Sequence, residues 1–301
     1  MKVSFVEPSR LNAGNVAVMV ADGRVLSPSA QTLDKQTKGA LKRAINASRF
    51  TGKKGQLLSL MAPAGTKADR ITLVGIGKAS ALDALSAEAM GGALLADANG
   101  AGQKTLTVAI DTVPGVKLEL AALAACVALG GKLRSYRFDK YRTKEKREAK
   151  PTVATLSIAV KGASAAQRAY NGGKAADAVF FARDLVSEPA NVIYPVSLAA
   201  KCKELTALDV KVEILGVAAM TKLGMGAILG VGQGSARESQ MVIMSWNGGP
   251  KDQKPVGFIG KGVCFDTGGI SIKPAGGMED MKWDMGGSAA VIGAMHLLAA
   301  R

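Results

Sequence analysis

The residue types able to do chemistry gather in one stretch, GKGVCFDTGGISIKPAGGMEDMKWDMGG (260–287). Eight of its 28 residues are glycine, and Lys261, Asp266, Lys273, Glu279, Asp280, Lys282 and Asp284 are set among them. Glycine-rich chain with that many charges does not build a core. Gly268 and Gly269 allow a sharp turn and a close approach of the backbone to a bound group. Asp266 follows an expected strand ending GFIGKGVCF, and ligand sites form at the ends of strands in a parallel sheet. Asp284 stands just before the expected helix GSAAVIGAMHLLAA, where a carboxylate can cap free amides. Carboxylates converging with lysines suit hard divalent cations or an anionic substrate, and an exposed loop of solvated charges has the same composition.

Other candidates are weaker. A phosphate-cradling loop needs glycine where Thr72 stands before Gly77–Lys78, and Ser or Thr at Ala79. Pro255 blocks the same pattern before Gly260–Lys261. Gly230, Gly232 and Gly234 have the wrong spacing for a dinucleotide fingerprint. All three stretches read as turns at strand ends. His296 is the only histidine and lies in an apolar helical run, so packing is its default role. HExxH zinc proteases and GxSxG hydrolases are excluded by the absence of those motifs. Cys126, Cys202 and Cys264 are odd in number and far apart, which indicates neither a disulfide framework nor a cysteine zinc site.

These residues must be positioned by alternating elements. KVSFV, VAVMV, LLSLM, ITLVGIG and TLTVAI read as strands, separated by helical patterns in LDKQTKGALKRAINASRF and ALDALSAEAMGGALLADA and followed by KLELAALAACVALGGKL. Crossover helices imply a largely parallel sheet and an α/β fold. The strand VATLSIAV closes this half, and a domain boundary is expected near residue 160, giving domains 1–160 and 161–301. Beyond it come a long helix AAQRAYNGGKAADAVFFARDLVSEP, the helix SLAAKCKELTA, the strand VKVEIL, a glycine-rich turn, and the strands MVIMSW and VGFIG. At 301 residues, two domains are the natural division. No signal peptide or membrane span is expected, and a reduced cytoplasmic protein is the simplest reading. The net charge of +15 is concentrated in GKLRSYRFDKYRTKEKREAKP, where nine lysines and arginines face three acids. With Tyr136, Phe138 and Tyr141 interleaved, the segment 132–150 supports an alternative function in nucleic-acid binding; a solvated loop between domains is the plainer expectation.

The 260–287 stretch closely resembles the signature region of the leucyl (cytosol) aminopeptidase family of two-metal exopeptidases. FARDLVSEPANVIYP (181–195), MGAILGVGQGSARES, ITLVGIGK and YRFDKYRTK also resemble segments of that family, so the resemblance runs across nearly the whole chain. It implies a bilobal fold: an N-terminal macro-like α/β domain and a C-terminal α/β metallopeptidase domain with a central mixed sheet, here incomplete. By position, Lys261, Asp266 and Asp284 correspond to metal ligands, with Asp266 bridging two divalent ions (manganese or zinc), and Lys273 corresponds to the catalytic lysine. The implied reaction is release of N-terminal residues such as leucine from peptides, with the two ions about 3.5–4 Å apart, in a cytoplasmic homo-oligomer, a hexamer for the family. Glu279, Asp280 and Lys282 fall at positions without a ligand role. The family's NTDAEGR block, which supplies further ligands, does not occur in these 301 residues. The expectation is therefore a truncated chain, inactive alone and poorly folded beyond about residue 190.

Overall fold

Strand β1 (Lys2–Val6), β2 (Ala13–Ala21) and β3 (Val25–Leu26) are followed by helices α1 (Pro28–Gln36) and α2 (Ala40–Asn46). Then come β4 (Leu57–Met61), β5 (Lys67–Gly77), α3 (Ala84–Gly100), β6 (Thr105–Ile110), α4 (Leu120–Arg134), β7 (Thr155–Val160) and α5 (Ala163–Tyr170). The structure is a computed structural model that describes residues 1–9, 11 and 13–301. The strands form one seven-stranded sheet in the order β1-β7-β6-β2-β5-β4, with β3 on the flank of β2. Pairings among β1, β7, β6, β2 and β5 are parallel, and β3 and β4 pair antiparallel, so the sheet is mixed.

The period of two in the strands decides the layering. In β2, Ala17 and Met19 enter a core with α3 and α4, whereas Val16, Val18 and Val20 enter a second core with α1 and α2. Residues Val16–Val20 are fully buried, as a strand covered on both faces requires. Glycines set the approach of α3 to α4. A Cβ on Gly91 would overlap the Val127 carbonyl, and one on Gly130 would overlap the Glu88 carbonyl. Asp111, just past β6, accepts from the Ser29 amide at 2.9 Å and from the Ser29 hydroxyl at 2.7 Å, pinning the start of α1.

Two compact units are present, Met1–Gly173 and Lys174–Arg301. The boundary expected at 160 is corrected to 173/174 because α5 belongs to the first unit. Ala163 and Ala166 lie in its core, Tyr170 packs 5.4 Å from the Phe5 ring, and Glu7 accepts from the Gly162 and Ala163 amides. The single long helix expected over 165–189 is broken. Asn171, Gly172 and Gly173 all have positive φ (49°, 65° and 79°), a run that right-handed helix cannot contain.

The second unit holds α6 (Lys174–Ser187), α7 (Pro195–Lys203), β8 (Lys211–Leu215), α8 (Val217–Lys222), α9 (Gly226–Gly232), β9 (Met241–Ser245) and α10 (Gly286–Ala300). Its sheet is the antiparallel pair β8–β9 alone, so the mixed sheet of the fold lies in the first unit. Two further expectations are corrected. Residues 226–232 are helical rather than a glycine-rich turn, and VGFIG (256–260) forms no strand. The expected loss of order past residue 190 is also corrected, because Ile193, Leu198, Cys202 and Leu205 share a buried core with Met285, Ala289 and Ile292. Helix α10 lies close on α6, with the Gly293 position near the Ala182 methyl and the Ala178 carbonyl. No helix among the described residues is long and apolar enough to cross a membrane.

The α3–α4 contact predicts that Gly130→Val destabilises the first unit by about 1–3 kcal/mol through overpacking. Urea unfolding followed by circular dichroism measures it. The exposed Gly100→Val, with open space around its Cβ position, should show only the smaller cost of a β-branched residue at a helix end.

Candidate lysine–aspartate centre

The candidate residues lie in the long irregular segment between β9 and α10 and at the start of α10. Two anchors hold that segment. The Ser288 amide donates to the Lys261 carbonyl at 2.8 Å, and Gly260 sits so close to Ser288 Cα and the Gly287 carbonyl that no Cβ fits. This fixes Lys261 beside the N-terminal turn of α10, next to Asp284. Lys261 Nζ forms an ion pair with Asp284 Oδ2 and donates to the Asp284 carbonyl at 3.3 Å. The capping role expected for Asp284 is corrected: its carboxylate faces Lys261 and makes no cap of α10, whose N-cap is Met285.

The second pair is built by a turn. Gly268, at φ 89°, is packed against the Ser271 carbonyl, and the Lys273 amide donates to the Thr267 carbonyl at 2.9 Å, closing the loop 267–273. The Gly268 amide donates to Asp266 Oδ1 at 2.9 Å, and Lys273 Nζ donates to Asp266 Oδ2 at 2.6 Å. The ammonium also lies 3.2 Å from the Met281 sulfur, on a short 3-10 turn Met278–Trp283. Sequence reasoning missed Met281 and Ser288. Their signal was weak, a methionine eight residues after Lys273 and a serine in the first turn of an apolar helix.

All four sequence-predicted residues are therefore brought into two lysine–aspartate pairs. Asp266 is held below the ordinary carboxylate range, first by the Lys273 hydrogen bond, then by the Gly268 amide, then by the charges of Lys273 and Lys261. The last effect links the two pairs, because Lys261 is near enough to act on Asp266. Glu279, Asp280 and Lys282 stay outside the pairs, and Lys282 Nζ lies 5.5 Å from the Trp283 ring centroid. Cys264 is buried, and burial pushes its thiol up to about 11, so at neutral pH it is neither a nucleophile nor a thiolate ligand. The His296 ring packs 5.6 Å from that of Phe181. Arg237 stacks 3.7 Å over the Tyr194 ring centroid, tying the loop after α9 to the start of α7.

Two carboxylates and an amine are a donor set that fits a hard or borderline divalent cation. Asp284 Oδ2 is buried and accepts no hydrogen bond, only the ion pair with Lys261, which leaves its lone pairs available to a metal. Three donors are fewer than two ions require, and no group of three or more His, Cys, Asp or Glu residues able to hold a metal occurs among the described residues. The basic segment 132–150 is folded on itself. Arg137 donates to both Glu145 oxygens at 2.5 and 2.6 Å and to the Ala149 carbonyl, and Phe138 packs edge-on against Tyr141. Glu145, Phe138 and Tyr141 are thereby engaged within the segment.

A two-unit α/β protein whose second unit carries a lysine–carboxylate centre is the class that fold and site define. Residues 17–145 match the model of the cytosol aminopeptidase family N-terminal domain, and residues 180–301 match that of its catalytic domain. The chain belongs to the cytosol aminopeptidase family. A Caulobacter vibrioides protein named "Probable cytosol aminopeptidase" is 50% identical over 306 aligned residues, covering 100% of this chain and 60% of that protein. One of the same name from Rhodopseudomonas palustris is 45% identical with the same coverage. Among solved structures, a mutant of tomato leucine aminopeptidase matches with a TM-score of 0.78 at 27% identity, over 99% of this chain and 59% of that one. The bottromycin maturation enzyme BotP in complex with Mn matches with a TM-score of 0.74 at 28% identity, over 96% and 56%. The chain thus spans about 60% of the length of the curated relatives it matches.

The geometry predicts that Lys273→Met moves the Asp266 carboxyl back up toward its ordinary value of 3.8 in metal-free protein. A carboxyl held low in the folded state adds stability above its unfolded pKa and loses it as pH falls through the folded one. The variant should therefore be less stable than the parent at neutral pH and converge with it in acid. Carboxyl carbon NMR titration reads the shift, and an unmoved Asp266 would contradict the pairing.

Proposed function

We propose that this chain carries part of the centre of a metal-dependent aminopeptidase that removes N-terminal residues, leucine among them, from peptides. The observation that carries the reading is the pairing of Asp266 and Asp284 with Lys273 and Lys261, on a chain whose family is defined by peptide-processing enzymes. Lys261, Asp266 and Asp284 would hold divalent ions, manganese or zinc. Ions held there supply Lewis acidity, polarising the scissile carbonyl and acidifying water. To serve as a ligand Lys261 gives up its proton and its pairing with Asp284. Lys273 keeps its ammonium and donates to the carbonyl oxygen as negative charge develops there, a contribution that is largest where water is excluded.

The Gly268 turn gives this lysine its reach, since it sets both the Asp266 carboxylate and the Lys273 backbone in one closed loop. Three donors do not complete two metal sites, so residues 1–301 alone are proposed to be inactive. Activity then belongs to the relatives' full length, in a cytoplasmic homo-oligomer, a hexamer as in the family.

The test uses residues 1–301 fused to the part of the Caulobacter vibrioides relative that the chain does not span. With Mn²⁺, this fusion is expected to hydrolyse leucine anilide but not its N-acetylated form, and residues 1–301 alone are expected not to. Lys273→Met should lower kcat about 10²–10³-fold with bound metal unchanged. Asp266→Asn should lose metal, measured by elemental analysis after gel filtration. Full activity in either variant, or in the 1–301 chain by itself, would remove the reading.

A further inference from the structure

The first unit holds a hollow that the lysine–aspartate centre does not use. It lies where the end of β5 meets α3, and its volume is about 190 Å³. That is less than the roughly 300–1,000 Å³ of sites that enclose larger organic ligands. The local sequence explains why the space is left. On α3, Ser86, Ala89, Met90 and Ala93 share one face at helical spacing, and two of the four are alanine. Across from them, Val74 and Ile76 of β5 form an apolar floor with Leu82, and all three are buried. Gly75 has no room for a Cβ, because the Lys53 carbonyl packs against it. The turn before β4 is thereby drawn over the end of β5, with the Gly55 amide donating to the Gly75 carbonyl at 3.0 Å. That turn brings Lys54 to the rim.

The polar groups there are few and specific. Lys54 and Ser86 carry the only polar side chains of the lining. Lys54 is exposed, and its ammonium makes no hydrogen bond or ion pair among the described residues. Asp83, the exposed N-cap of α3, accepts from the Ser86 amide at 2.8 Å. Its carboxyl is held below the ordinary range, first by the Ser86 hydroxyl, then by the Ser86 amide, and also by the charge of Lys54. One cation and one anion therefore stand within electrostatic reach of each other beside an apolar hollow, and they do not pair.

An apolar hollow edged by opposite charges is complementary to a zwitterion with an aliphatic side chain. A simple anion would be repelled by Asp83, and a simple cation by Lys54. We propose that this hollow binds a free aliphatic α-amino acid of about the size of leucine. Its side chain enters between β5 and α3, its carboxylate meets Lys54, and its ammonium meets Asp83. A peptide fits less well, because its second residue replaces the carboxylate by an uncharged amide. The residue that the proposed reaction releases belongs to this class, but the assignment rests on the geometry of the first unit alone. Its test reads binding without hydrolysis, so a failure here leaves the aminopeptidase reading standing.

Metal-free residues 1–301, labelled with nitrogen-15, are titrated with leucine through the millimolar range. Saturable amide shifts are expected at Gly55, Ile76 and Met90, with a Kd of about 1 mM or tighter. Isocaproate, which lacks the ammonium, and leucine amide, which lacks the carboxylate, should each bind at least about tenfold more weakly. Lys54→Met and Asp83→Asn should weaken leucine binding by a similar factor. Lys54 is exposed, and asparagine caps a helix as well as aspartate does, so both variants keep their circular dichroism. Ala89→Leu, a good helix former at the edge of the hollow, should abolish the shifts by filling the space. No saturable shift, or shifts confined to residues 174–301, overturns the proposal. Isocaproate binding as tightly as leucine also overturns it, assigning the hollow to simple carboxylates, as does unchanged leucine affinity in both charge variants.

Discussion

Four charges are held on a glycine-rich frame in this protein because each aspartate has a lysine to neutralise it. Isolated carboxylates on such a frame would be driven apart into water. Paired, Asp266 with Lys273 and Asp284 with Lys261, they stay together without a packed scaffold beneath them. The rest of the local structure serves those pairs. Gly268 turns the chain so that its own amide and the Lys273 ammonium reach different oxygens of the same carboxylate. Gly260 lets the chain touch α10 closely enough for Lys261 to reach Asp284. Larger residues at either glycine would keep the charges and lose the pairing.

The two units solve the burial problem to different degrees. In the first, β2 and β5 are covered on both faces, each alternate residue feeding one of two cores, and glycines let α3 and α4 approach at backbone distance. In the second, α6, α7 and α10 enclose one small core, and the apolar residues around the centre are left outside it. That contrast gives the centre its character. Its carboxylates are half-open to solvent, and the pairing, rather than burial, keeps Asp266 ionised well into acid.

Legibility followed from how local each signal is. The strands of the first unit were readable because burial on both faces demands unbroken runs such as VAVMV and TLTVAI. The four site residues were readable because they lie in one contiguous stretch that resembles a known family. The break at 171–173 was written as Asn-Gly-Gly, but helical periodicity on both sides masked it until Phe5 and Glu7 drew α5 onto the first unit. Residues 226–232 show the converse, where glycine content suggested a turn and the chain formed a helix. The capping role of Asp284 failed because an ammonium 23 residues away in sequence, at Lys261, competes better for the carboxylate than a backbone amide does.

By itself, the sequence determined the α/β class, the two-part organisation and the identity of the charged residues in the centre, because periodicity and motif are properties of neighbouring residues. Only the tertiary structure decided which lysine serves which aspartate, that Met281 contacts Lys273, and that VGFIG remains unpaired. Those outcomes depend on where α10 and the Gly268 turn bring distant residues, and on whether neighbouring strands are present to accept a backbone ladder. Pairing across space is a competition among partners, and composition alone does not rank them.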